Sequence, residues 1–80
     1  MRLKEYVLTI SIESGRNKLS NLEINNIARR YGGQAFDSDS WVSKGVTWYS
    51  VGIIFKTRIS KDRVAKLFAT RGYKIQKMTD

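Results

Sequence analysis

The sequence predicts an α+β fold in which two helices cover one face of a four-stranded antiparallel sheet, and three observations predict it. Apolar residues alternate with polar ones near the N-terminus and in the middle of the chain, as they do in half-buried strands. Two patterns typical of helix starts, at Ser20 and Ser60, stand half of the 80-residue chain apart. The chain is also short enough to form a single domain, residues 1–80.

The first half of the chain predicts a strand followed by a helix. In "EYVLTISI" the large apolar residues alternate with Val7, Thr9 and Ser11, so one face of this strand is expected to lie in the core. In "LSNLEI" the hydroxyl of Ser20 and the carboxylate of Glu23 stand at the spacing of a capping box, which predicts that the helix begins after Ser20. The glycine pair in "RYGGQ" predicts its end.

The second half predicts the remaining strands and the second helix. Weak strands are expected at Gln34–Phe36 and at Trp41–Ser43, with a turn-rich segment between them. A long alternating strand follows over residues 46–57. In "ISKDRV" Ser60 is predicted as the N-cap of the second helix, and "YKIQKM" predicts a short last strand.

This order, β-α-β-β-α-β, is typical of the split βαβ, or ferredoxin-like, fold. In that fold both helices lie on one face of the sheet, so the other face is left without a cover. Alternation assigns side chains of three strands to this second face: Val7, Thr9, Ser11, Trp48, Ser50, Ile54, Lys56, Lys74, Gln76 and Met78.

The composition excludes the commonest catalytic and metal-binding chemistries. The chain has no cysteine and no histidine, which removes thiolate sites, imidazole ligands and the usual general acid or base at neutral pH. Asp37 and Asp39 in "FDSDSW" alternate and would suit Mg²⁺, although such letters are more often a turn. We therefore expect a protein that is not an enzyme and needs no metal or other cofactor, with a small metal-dependent nuclease as the catalytic alternative.

The charge of the chain favours a polyanionic partner. Fifteen Lys and Arg residues against seven Asp and Glu give a net charge of +8, which is typical of domains that contact nucleic-acid phosphates. RNA is the expected partner, and an acidic protein bound without nucleic acid is the alternative. The candidate nucleic-acid-binding residues are Arg29, Arg30, Lys44, Trp48, Lys56, Arg58, Lys61, Lys66, Arg71 and Lys74, and the candidate anion-binding residues are Arg16 and Lys18.

Trp48 raises a separate question, because it is an aromatic residue on the face without helices. The third-strand signature of the RNA recognition motif is K/R-G-F/Y-G/A-F-V-x-F/Y, and that family stacks bases on strand aromatics. Aligned from Lys44 and Gly45, the chain supplies one of the two central aromatics, Trp48. Trp48 is therefore expected to meet an RNA base, a second copy of the chain in a homodimer, or a partner protein.

No membrane partner is expected. No apolar run approaches the roughly 20 residues that a membrane helix needs, and Glu5 interrupts the apolar region that a secretion signal would require. The expected location is the cytoplasm.

In size, charge and predicted fold the chain resembles the small accessory proteins that bacteriophages make to inhibit host defence systems, among them inhibitors of toxin endoribonucleases. The resemblance covers these three properties and no sequence motif, so it assigns no role to individual residues. It implies a viral protein that acts as an antitoxin. Such a protein would occupy an RNA-processing enzyme, or the RNA that the enzyme uses, and inhibit by occlusion.

Overall fold

The structure of the protein is a computed structural model that describes residues 5–15 and 19–79. Its elements follow the predicted order. They are β1 (Tyr6–Glu13), α1 (Asn21–Arg30), β2 (Gly33–Ser43), β3 (Val46–Phe55), α2 (Arg58–Thr70) and β4 (Lys74–Met78).

All four strands belong to one sheet, in the order β2-β3-β1-β4, and each neighbouring pair is antiparallel. The central strands are β1 and β3, while β2 and β4 form the two edges. Helix α1 packs mainly on β2, and α2 packs on β1, β3 and β4. This is the ferredoxin-like split βαβ arrangement, so the predicted fold class is confirmed.

The hydrophobic core lies between the helices and one face of the sheet. Full burial of a large apolar side chain such as Phe55 or Phe68 contributes about 2–3 kcal/mol, so these residues supply much of the stability of so small a domain. Neither helix of the described residues has the length and apolar character needed to cross a membrane. The buried apolar residues are Leu8, Ile10, Ile12, Ile24, Ala28, Val51, Ile53, Phe55, Val64, Ala65, Phe68 and Tyr73.

Helix α1 begins as its sequence predicts. Ser20 is the N-cap: its Oγ accepts a hydrogen bond from the Glu23 backbone N–H, and the Glu23 carboxylate accepts one from the Ser20 N–H. Two backbone donors that the first turn leaves unpaired are therefore satisfied within the motif. The capping box is confirmed.

The start of helix α2 differs from the prediction. Its N-cap is Thr57, whose Oγ1 accepts a hydrogen bond of 3.2 Å from the Ser60 N–H, so the helix begins at Arg58 and Ser60 lies in its first turn. Strand β3 ends at Phe55, two residues earlier than expected. Both Thr57 and Ser60 are good caps, and the end of the β3 pairing selects the earlier one.

Strand β2 is one continuous strand of 11 residues, not two short strands around a turn. Its polar letters favour a turn, but antiparallel pairing with β3 along the whole segment outweighs that local preference. The register shifts between Ala35 and Asp37, which makes Phe36 a bulge residue.

The pairing of β4 with β1 also contains a register shift, and because of it the predicted face of Met78 is wrong. Ser11 pairs with Lys74 and Ile10 with Ile75, but the register shifts between Ile10 and Thr9. Beyond the shift, Thr9 stands opposite Lys77, and Met78 stands opposite Leu8. Lys77 therefore takes the place on the sheet face without helices that alternation had assigned to Met78.

The glycine pair that ends α1 serves two separate purposes. Gly32 has a φ of +76°, the left-handed conformation common after a helix end. Gly33 is the first residue of β2, and a Cβ added to it would lie against Cδ1 and Cε1 of the Phe55 ring, inside van der Waals contact. Only the first purpose can be predicted from the sequence.

We expect Gly33→Ala to lower the free energy of unfolding by about 2 kcal/mol, because the added methyl group must displace the buried Phe55 ring. Gly52→Ala is the matched control. Its Cβ would meet the Phe36 ring at 3.2 Å, and that ring is 57% exposed and has room to move, so we expect a change below about 0.5 kcal/mol. Urea denaturation of both variants measures the difference. Equal effects would contradict the close packing of Gly33 on Phe55.

Candidate nucleic-acid interface

The sheet face turned away from the helices, which we call the open face, is defined by cross-strand pairing. Trp48 stands opposite Trp41 on one side and opposite Glu13 on the other. The open face is lined by Val7, Thr9, Ser11 and Glu13 of β1, Gln34, Asp37, Asp39, Trp41 and Ser43 of β2, Val46, Trp48, Ser50, Gly52 and Ile54 of β3, and Lys74, Gln76 and Lys77 of β4.

Two tryptophans form a paired aromatic surface at the hairpin end of the open face. The indole rings of Trp41 and Trp48 are nearly parallel, with an interplanar angle of 10° and centroids 6.4 Å apart. Both side chains are half-buried. With Ser43, Lys74 and Gln76 they line a shallow cleft of about 190 Å³, which we call the tryptophan cleft.

Polar groups of β4 border the tryptophan cleft. The Lys74 Nζ lies 4.7 Å from the centroid of the Trp48 ring, a cation–π distance. Gln76 is held by the buried Ser11, whose Oγ donates a 3.0 Å hydrogen bond to Gln76 Oε1. The cleft therefore combines aromatic rings, a positive charge and an oriented amide.

Phe36 adds a third aromatic ring to the same face. Its ring lies over Gly52, so close that a Cβ on that residue would meet it at 3.2 Å, and the ring is 57% exposed. Because Gly52 has no side chain, the Phe36 ring can approach the Gly52 backbone closely. The open face thus presents three aromatic side chains from β2 and β3.

The two edges of the open face carry opposite charges. Asp37 and Asp39 lie on the edge strand β2, whereas Lys74 and Lys77 lie on the opposite edge, β4. Four strands span three spacings of about 4.8 Å, so roughly 14 Å separates the two edges. The β4 side is therefore the side suited to phosphates.

Asp37 and Asp39 do not lie in a turn, as the commoner use of such letters predicted, but within strand β2. Both are exposed, and Asp39 Oδ1 accepts a hydrogen bond of 2.8 Å from the Ser40 N–H. Across residues 5–15 and 19–79, no group of three or more acidic, histidine or cysteine side chains comes together as a metal site would require.

Arg29 and Lys56 lie around one cleft at the other end of the sheet. They line a cleft of about 430 Å³ together with Glu5, Gln34 and Ile54. Gln34 and Ile54 belong to the open face, so this second basic cluster continues it. The stretch of β3 from Trp48 to Ile54 separates the tryptophan cleft from this cluster. At about 3.3 Å per residue of a strand, the separation is roughly 20 Å.

Four predicted residues lie on the helix side of the molecule. Arg30 and Arg71 line a groove of about 260 Å³ between the end of α1 and the end of α2. Arg58 and Lys66 are exposed on α2. The structure does not bring these four residues onto the surface that carries Trp48.

Lys61 is buried, so its prediction as a nucleic-acid-binding residue is wrong. Only 1% of its surface is exposed, its Nζ donates a hydrogen bond to the Thr79 carbonyl, and it lies 5.8 Å from the centroid of the Tyr6 ring. Asp62 Oδ1 is 3.3 Å from the same amino group. The charge of Lys61 is used inside the fold, so it is removed from the candidate interface.

Lys44 is exposed in the turn between β2 and β3, with a positive φ of 53°. It lies beside the hairpin end of the open face. The predicted anion site formed by Arg16 and Lys18 lies outside the described residues.

The sequence alone predicts Trp48, Lys56 and Lys74 as candidates but does not predict Trp41, Phe36, Lys77 or the acidic edge formed by Asp37 and Asp39. Trp41 could have been found, because alternation through "DSDSW" places Asp37, Asp39 and Trp41 on one face once the segment is taken as a strand. Phe36 and Lys77 could not, since both depend on register shifts that local sequence does not reveal.

The comparisons with known proteins show the fold alone. No family profile matches the sequence, and no curated protein matches it. Among solved structures the chain is similar to a de novo designed protein, Foldit4, with a TM-score of 0.67 and 13% sequence identity over 96% of this chain and 98% of that chain. The likeness supports the α+β topology and assigns no activity.

Proposed function

We propose that the protein binds single-stranded RNA on its open face and has no catalytic activity of its own. The observation that carries this proposal is the combination on one helix-free face of three aromatic rings, Phe36, Trp41 and Trp48, with Lys74 and Lys77 on the adjoining edge. Exposed aromatics that stack bases, next to cations that bind phosphates, are the usual means of holding unpaired nucleic acid.

The arrangement favours unpaired bases over a duplex. Stacking on an aromatic side chain requires a base face, which a double helix keeps inside its own stack. The distance of roughly 20 Å from Trp48 to Ile54 corresponds to about six stacked nucleotides. An oligonucleotide of eight residues is therefore long enough to cover the open face.

Inhibition by occlusion is the biological role that we propose for this binding. A non-catalytic protein that covers the bases of an RNA withholds that RNA from an enzyme that must read or cleave it. A toxin endoribonuclease or another RNA-processing defence factor is the class of enzyme proposed. Purification of the tagged protein from native host cells, with and without RNase treatment, would show whether such an enzyme is recovered and whether RNA bridges it.

We expect a fluorescein-labelled eight-nucleotide RNA of mixed sequence to bind with an affinity that falls linearly in a log–log plot against salt. Two phosphate contacts, to Lys74 and Lys77, predict a slope of about −1.4 for a single strand. Fluorescence anisotropy at several salt concentrations measures it. The same RNA annealed to its complement is the control, and it should bind at least about tenfold more weakly. No binding at low salt, or equal binding of strand and duplex, would contradict the proposal.

A further inference from the structure

The tryptophan cleft is a shallow concave site on the open face, lined by two indole rings, a lysine, a serine and a glutamine. Its two indoles are parallel to within 10°, which is the mutual orientation of stacked planar rings. Its volume of about 190 Å³ lies below the roughly 300–1,000 Å³ of pockets that enclose whole drug-sized ligands. A site of this size suits one small heteroaromatic ring.

A cation is already present at this site. The Lys74 Nζ lies over the Trp48 ring at 4.7 Å, and Lys74 is exposed. A lysine chain is flexible, so its amino group can leave the ring face for a phosphate when a base takes that place. The ring and the phosphate of one nucleotide would then have partners at the same point of the protein.

The polar wall of the cleft indicates which hydrogen-bonding groups a bound base would present to it. Gln76 Oε1 accepts the hydrogen bond from Ser11 Oγ, so the Gln76 amide N–H groups are the donors left for a ligand. Donors require acceptors on the base, and the carbonyl oxygens of uracil and cytosine are such acceptors. The size of the cleft is what favours a pyrimidine over a purine, since a pyrimidine has one ring where a purine has two.

We propose that the tryptophan cleft is a seat for one unpaired pyrimidine nucleotide, with the base stacked on the indoles, its carbonyl edge on Gln76 and its phosphate on Lys74. This inference rests on the proposed RNA binding and adds where the RNA is anchored and by which class of base. The positive charge of Lys74 beside the aromatic walls is what selects a nucleotide as the occupant over an uncharged apolar group.

The chain offers a direct reporter of this site. It contains two tryptophans, Trp41 and Trp48, and both line the cleft. Intrinsic tryptophan fluorescence therefore reports on the cleft alone, while anisotropy of a labelled RNA reports binding anywhere on the protein. We expect octauridylate to quench the fluorescence with the same midpoint as its anisotropy curve, and octaadenylate to bind about fivefold more weakly.

Variants of Trp48 supply the controls. Trp48→Ala should weaken octauridylate binding about tenfold, whereas Trp48→Phe, which keeps an aromatic face, should stay within about threefold of the parent. Circular dichroism verifies that both variants fold, and light scattering measures their mass. Anisotropy binding without quenching, or a Trp48→Ala variant that changes from dimer to monomer at unchanged RNA affinity, would overturn the seat while leaving the RNA-binding proposal standing. Equal affinity for the two homopolymers would overturn the pyrimidine preference, and absence of binding in both assays would overturn the RNA-binding proposal itself.

Discussion

Lys74→Glu combined with Lys77→Glu is expected to weaken single-stranded RNA binding by about 30-fold at low salt, because the two proposed phosphate contacts on β4 would be replaced by two repulsive charges. The salt dependence should also become shallower, by about 0.7 per lost contact. Anisotropy titrations of the eight-nucleotide RNA at several salt concentrations measure both quantities.

The matched control is Arg30→Glu combined with Arg71→Glu, in the groove between the two helices. Each double variant lowers the net charge of +8 by the same four units. A general electrostatic attraction would therefore weaken equally in both, whereas a site on the open face responds to the first variant far more strongly. We expect the control to lose only about threefold. Equal losses would show that RNA, if bound, is held by the overall charge and not by the open face.

Lys61→Ala is expected to lower the free energy of unfolding by about 3 kcal/mol. The substitution empties the space of a long side chain that is 1% exposed, and it removes the donor that the Thr79 carbonyl uses. Thr79 also exchanges hydrogen bonds with Val7, so the loss would loosen the attachment of the C-terminal residues to the start of β1. Relative to a total of about 5–15 kcal/mol, this is a large effect.

Lys61→Met separates packing from charge. Methionine fills a similar volume without the amino group, so we expect its stability to stay within about 1 kcal/mol of the parent protein. Urea denaturation of the two variants measures both values. If Lys61 were a surface lysine that contacts phosphate, both substitutions would change stability by less than about 0.5 kcal/mol and would weaken RNA binding instead.

Part of the candidate interface can be predicted from the sequence, and the residues that cannot be predicted are those beyond a strand irregularity or buried by the fold. Alternation along the strand predicts the face of Trp48 and Lys74 correctly, because no register shift occurs where these two residues pair with β1. Phe36 and Lys77 were missed since one extra residue in an edge strand moves every later side chain to the other face. Lys61 was misplaced because its letter predicts an exposed charge, and only its neighbours in space show a buried one.

Local sequence is enough to predict the order of the elements, the capping box of α1, the apolar stripes that form the core, and the positive charge. These properties depend on residues that are close together in the sequence, because periodicity and capping act over one or two turns of a helix or a few residues of a strand. Pairing between distant segments is what stacks Trp41 beside Trp48 and brings Lys74 over the Trp48 ring. The physical reason is that strand register and the sharing of one surface arise from pairings between distant segments, and their side chains meet only after the sheet has formed.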